Sequence, residues 1–177
     1  PPSPPNFSDF TPVQLPAMVK LISSMKPAGS LVDCLPSVFT QSPALLNIFN
    51  TSLSTGVFPT VFKNAVIKPI LKKPGLDHSI YDNFRPISKV QFLSKVLEKI
   101  VHMQIFAHMD SNSLFDVFQS AFRPHHSTVS ALIRVLNDIL VASGSGPKVL
   151  LLLLHLSAAF DTVDHHILLD RLESWVG

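Results

Sequence analysis

The chain has 177 residues, of which 46% are hydrophobic and 15% charged, with a formal net charge of +2. Such a length holds one domain with a real core, and the balance excludes a disordered, highly charged tail. A net charge this small does not define a nucleic-acid partner, so any basic footprint has to be local.

Four prolines in the first five positions mark residues 1–10 as a disordered lead-in. Thr11 and Pro12 supply an N-cap and a proline at the first helical position. Leu15, Met18, Val19 and Ile22 then give a short amphipathic helix toward Met25, weakened by Pro16 and ended by Lys26-Pro27-Ala28-Gly29. The single cysteine, Cys34, excludes an internal disulfide, reads as a small buried apolar residue, and fits a reducing, intracellular setting. Nothing separates cytoplasm from nucleus.

A second helix is expected over residues 43–53, burying Leu45, Leu46, Ile48 and Phe49 and closed by Gly56 and Pro59. From Ala65 to Lys73 the chain is β-rich, a strand or extended hairpin arm that Pro69 restricts to an edge. Ser88 and Gln91 have capping-box spacing ahead of Phe92, Leu93, Val96, Leu97, Ile100 and Val101, which predicts a helix to about Met109. Another begins at Ser127-Thr128 and runs to about Ala142, with Val129, Leu132, Val135, Leu136, Ile139 and Leu140 inward. Ser143-Gly144-Ser145-Gly146-Pro147 breaks it. Residues 149–154 are an uninterrupted apolar run bounded by turn residues, the pattern of a strand covered on both faces. This run is the longest in the chain and falls far short of the ~20 residues a bilayer-spanning helix needs. The Pro-rich start is also unlike a signal peptide.

That strand leads into Leu154-His155-Leu156-Ser157-Ala158-Ala159-Phe160-Asp161. The segment resembles motif A of reverse transcriptases from non-long-terminal-repeat, LINE-type retrotransposons: an apolar strand, an Asp, three residues, then Ala-Phe-Asp. Asn83-Phe84-Arg85-Pro86-Ile87-Ser88, with Leu93-Ser94-Lys95-Val96-Leu97-Glu98-Lys99, resembles the family's first fingers motif. Phe118-Gln119-Ser120-Ala121-Phe122-Arg123, with Ser127-Thr128, resembles its second. The likeness is good over residues 57–177 and loose over 11–56. Several motifs in the right order are far more specific than any one alone.

The resemblance implies an α+β, helix-dominated fold: a partial right-hand polymerase with fingers plus the first palm strand and helix. Residues 1–56 would be a Pro-rich lead-in and N-terminal helical extension, 57–147 a fingers-like region, and 148–177 the start of the palm. Pro1 in place of an initiator Met, and a last helix that barely forms, suggest a piece of a longer reading frame. The missing palm and thumb segments would then be partners, beside an RNA template and a DNA primer; no membrane is expected.

The chemistry the resemblance implies is two-metal phosphoryl transfer, with two Mg²⁺ ions held by carboxylate oxygens. Here His155 stands where the family's metal-binding Asp belongs, and no Asp-Asp pair follows. Imidazole removes a negative charge and offers nitrogen, a poor Mg²⁺ donor, so Mg²⁺ is not expected to bind competently. A fragment of an RNA-directed DNA polymerase, inactive alone, is the reading; the alternative is a non-catalytic nucleic-acid-binding or interaction remnant.

Phe160 matches the aromatic gate that rejects a ribose 2′-hydroxyl, with a core aromatic as the alternative. Arg85 matches the fingers arginine near the incoming triphosphate, where a planar fork suits phosphate; the alternative is a surface arginine. Arg123 would contact template backbone or hold the fingers together. Lys68, Lys72 and Lys73 would meet phosphates or simply protect a strand edge. Asp161, Asp164, His165 and His166 invite a separate metal site, but Asp164 is more simply the N-cap of the last helix. His125-His126 lies where the family more often has a glycine-containing turn. Ala121 replaces a family Gly and would strain the turn if its backbone needs a positive φ.

Overall fold

Helix formation starts one turn later than Thr11-Pro12 suggests. The backbone of Thr11 and Val13 is held by side-chain amides. Gln104 Oε1 accepts from the Thr11 N–H at 2.8 Å while its Nε2 donates to the Thr11 carbonyl at 2.9 Å. Asn50 treats Val13 the same way, at 2.8 and 3.0 Å. Helix α1 therefore spans Leu15–Ser24 with Gln14 as N-cap. Pro16 falls in its first turn, where a missing N–H breaks no helical bond.

The computed structural model describes residues 6–25, 41–144, 146, 148–156 and 159–177. Cys34, the Lys26-Pro27-Ala28-Gly29 stop, Ser145, Pro147, Ser157 and Ala158 lie outside the described residues. The chain divides into two units, Phe7–His108 and Met109–Gly177, the latter grouped with Pro1–Asn6.

In the first unit, α2 spans Pro43–Thr55. Ser42 caps it by accepting from the Ala44 N–H at 3.2 Å, and Gly56 ends it with φ 68°, a left-handed turn that costs glycine little. The buried side is Leu45, Phe49, Ser52 and Leu53; Ile48, expected inward, is exposed. Met18 and Ile22 of α1, Leu45, Phe49 and Leu53 of α2, Phe62, and Val96, Leu97 and Ile100 make one core. Strands β1 (Ala65–Leu71) and β2 (Phe84–Val90) form an antiparallel ribbon. Helix α3 spans Phe92–Ser111. The Ser88–Gln91 capping box does not form, because Ser88 is paired within the ribbon opposite Ile67.

In the second unit, α4 spans Thr128–Gly144. Ser127 and Ser130 cap it reciprocally: the Ser130 N–H donates to Ser127 Oγ and the Ser127 N–H to Ser130 Oγ, at 3.1 and 2.8 Å. Its expected inward stripe is a correction. Val129, Leu132, Val135, Leu136 and Leu140 are exposed, since no layer covers that face among the described residues. Residues 149–154 correct another expectation. They form no strand: a strand needs a hydrogen-bonding neighbour, and among the described residues β1 and β2 pair only with each other. Helix α5 spans His165–Val176, capped by Asp164, whose carboxylate accepts from the His166 and Ile167 N–H groups. Helices with one small two-stranded sheet bear out the mixed, helix-dominated class. No helix among the described residues is long and apolar enough to cross a membrane.

Candidate nucleic-acid interface

The ribbon register sets Ala65 opposite Val90 and Leu71 opposite Phe84. Just beyond the strands, the Lys72 N–H donates to the Asn83 carbonyl at 2.8 Å. Counting back from that bonded pair, Ile70–Arg85, Lys68–Ile87 and Val66–Lys89 take the hydrogen-bonded positions, and Pro69–Pro86 takes a non-bonded one. Neither proline is asked for the N–H it lacks, so Pro69 fits this sheet.

Residues of like parity share a face. One face therefore carries Lys72, Arg85, Lys68 and Lys89 in a zigzag, with Val66, Ile70 and Ile87 between them. Diagonal neighbours in such a ladder sit roughly 7–8 Å apart. No carboxylate shares that face. Lys73 is exposed in the connection that follows. Asp77 shapes that connection: its Oδ1 accepts from both the N–H and the hydroxyl of Ser79 at 2.8 Å, and its carbonyl accepts from Asn83 Nδ2 at 2.9 Å. The two Ser79 bonds, the backbone N–H first, hold the Asp77 carboxyl below its ordinary value.

In the second unit, residues 112–127 form a loop braced by two arginines. Arg123 Nη1 donates to the Asp116 carbonyl at 3.2 Å, and its guanidinium lies 5.1 Å from the Phe115 ring centre. Arg134 of α4 donates to the Val117 carbonyl at 2.8 Å and lies 4.6 Å from the Phe118 ring centre. Three non-glycine residues here have positive φ: Ser113 at 55°, Phe122 at 60° and His125 at 62°. Ala121 is not among them, so the left-handed backbone falls on Phe122 and on His125, in the expected glycine turn. Between Phe122, Arg123, His126 and the start of α4 lies a cavity of about 400 Å³.

His155 is exposed in a segment without regular secondary structure, before the turn Ala159–Thr162, which contains the backbone of Phe160. Among the described residues, no three His, Cys, Asp or Glu side chains converge on a point that would hold a metal ion.

A family model described as reverse transcriptase (RNA-dependent DNA polymerase) matches residues 70–176. The chain belongs to the reverse transcriptase family. Within it, the RNA-directed DNA polymerase from mobile element jockey of Drosophila funebris is 33% identical over 170 residues, which is 92% of this chain and 18% of that protein. Its counterpart from Drosophila melanogaster is 32% identical over 159 residues, 87% of this chain and 17% of that protein. The chain thus spans less than a fifth of the length of the curated relatives it matches. The resemblance to the reverse transcriptase domain of a non-long-terminal-repeat retrotransposon is borne out.

His155, Phe160, Arg85, Arg123, Lys72 and Lys73 fall inside the reverse transcriptase match, and Lys68 lies two residues before it. Arg85 and Lys72 come together on one ribbon face, with Lys73 just past it; Arg123, His155 and Phe160 belong to the other unit. Sequence reasoning missed Lys89, which joins the same stripe. Its signal was parity with Lys68, readable only once the strand register is known. It also missed Arg134, Phe118 and Phe122 as a set, since nothing in their spacing shows that the rings face solvent.

Proposed function

We propose that this chain is the nucleic-acid-gripping part of a retrotransposon RNA-directed DNA polymerase, and that it does not polymerise by itself. The stripe Lys72–Arg85–Lys68–Lys89 carries this reading, because a row of cations with no acid beside it suits a phosphate backbone. In this reading residues 57–147 work as fingers of a right-hand polymerase, 148–177 begin its palm, and 1–56 extend the fingers. Arg85 meets the triphosphate of an incoming nucleotide, Phe160 gates its ribose, and Arg123, Lys72 and Lys73 serve the template and primer strands.

The residues present do not fit a pair of Mg²⁺ ions. His155 supplies nitrogen where a hard oxygen ligand is required, and no second donor cluster stands beside it among the described residues. His155 thus favours binding without catalysis for the isolated chain.

The test is binding of an RNA–DNA primer–template at several salt concentrations. Log affinity should fall linearly with log salt, and Lys68→Ala or Arg85→Ala should each reduce the slope by about one. A salt-independent affinity would sink the reading. The 177-residue chain should extend no primer with Mg²⁺ present; His155→Asp joined to a complete palm should recover extension, while Mg²⁺-dependent incorporation by the chain alone would refute the inactivity.

A further inference from the structure

We infer that a cavity walled by the tethered N-terminal segment, α1 and α3 is a binding site for a small organic cation with an apolar body. It measures about 510 Å³, inside the range of about 300–1,000 Å³ common for small-molecule sites. The cavity lies wholly within the first unit and shares no residue with the cationic ribbon or with residues 112–127.

Its walls account for the apolar body. Val13, Ala17, Leu21, Ile100 and Met103 line it, and Ile100 belongs to the core, which backs the cavity with close packing. Ala17 is small enough to leave space that a larger side chain would fill. Met103 carries a pliable thioether that adapts to the shape of a guest. The wall made by the N-terminal segment is fixed. Gln104 holds the Thr11 backbone at both its N–H and its carbonyl, and Asn50 holds Val13 likewise. Both held residues line the cavity. A wall tied at four backbone groups does not slump into the space, so a ligand meets a preformed site and little has to be ordered on binding.

The charge selects the occupant. Among the described residues, Asp9 is the one charged side chain lining the cavity, and it is exposed. Gln104 is already engaged by Thr11 at both its oxygen and its nitrogen. The strongest polar group left for a guest is the Asp9 carboxylate, which accepts hydrogen bonds and donates none. Beside apolar walls it attracts an ammonium group and repels an anion.

The test uses the full chain with isotope-labelled methionine methyl groups, read by NMR. Met103, 50% exposed, reports on the cavity, and Met109, which does not line it, is the control. The probes are tryptamine, tryptophol and indolepropionate, one indole body carrying a positive charge, none and a negative charge. Tryptamine should shift Met103 saturably at millimolar concentration and bind about three- to fivefold tighter than tryptophol, with indolepropionate weakest. Asp9→Asn should remove that preference and leave tryptophol unchanged. Ala17→Phe should fill the cavity and abolish the Met103 shift with all three probes. The site is overturned by a Met103 resonance that no probe moves, by shifts that never saturate, or by equal affinity for the three probes. It is equally overturned by an Asp9→Asn chain that still prefers tryptamine or an Ala17→Phe chain that binds like the parent.

Discussion

Asp77 receives the backbone and side-chain donors of Ser79 on a single carboxylate oxygen, and these bonds favour its charged form. Its folded pKa lies below the ordinary 3.8. The sign follows from linkage: a lowered carboxyl contributes its stabilisation above the ordinary value and loses it as pH falls through the lowered one. The connection between β1 and β2 should therefore hold at neutral pH and loosen only below about pH 4, within the ordinary carboxylate range. Asp77→Asn, which keeps an acceptor oxygen without the charge, should abolish that acid transition. Amide exchange at Ser79, followed against pH in both proteins, decides it. Single residues were unevenly legible. Arg85 can be singled out from its contiguous motif neighbours, whereas Lys89 needs a partner strand to show which face it shares.

At the scale of elements, the N-terminal segment is tied to α2 and α3 by two amide side chains with unequal surroundings. The Asn50–Val13 pair is partly buried and the Gln104–Thr11 pair exposed. Removing a partner matters most where water cannot replace it. Asn50→Ala should cost about 1–3 kcal/mol and Gln104→Ala well under about 1 kcal/mol by the same reasoning; urea unfolding of the two variants compares them, and equal costs would contradict it. The helices themselves were legible where caps and periodicity agree, as at Pro43, Gly56 and Asp164. The start of α1 was not, because long-range bonds from Asn50 and Gln104 outweigh the local Thr11-Pro12 signal. Ser88 was misassigned for a similar reason: a strand partner claimed it before the helix did. In α4 the apolar stripe correctly gave a helix. It did not give burial, because a stripe states only what a face prefers to meet.

For the whole molecule, the apolar surface is concentrated in the second unit. Leu132, Leu136 and Leu140 of α4, with Leu150, Leu152, Leu153 and Leu154 of the segment that follows, are all open to solvent. Continuous apolar surface of this kind drives association, so the chain should form concentration-dependent oligomers or aggregates in light scattering. Leu136→Lys and Leu153→Lys should shift it toward monomer; a parent chain that stays monomeric at high concentration would contradict the prediction. Residues 149–154 show where sequence reasoning stops. Their composition suits a central strand, yet strand formation needs hydrogen-bonding neighbours that no local pattern supplies.

Helices α1 and α2 precede the stretch that matches the polymerase family, yet Met18, Ile22, Leu45 and Phe49 complete the core around Val96, Leu97 and Ile100. A chain trimmed to the matched residues 70–176 would lose the α1 and α2 side chains that wrap α3. The boundary that keeps this core whole lies upstream of Thr11, the first backbone group held by a side chain of α3.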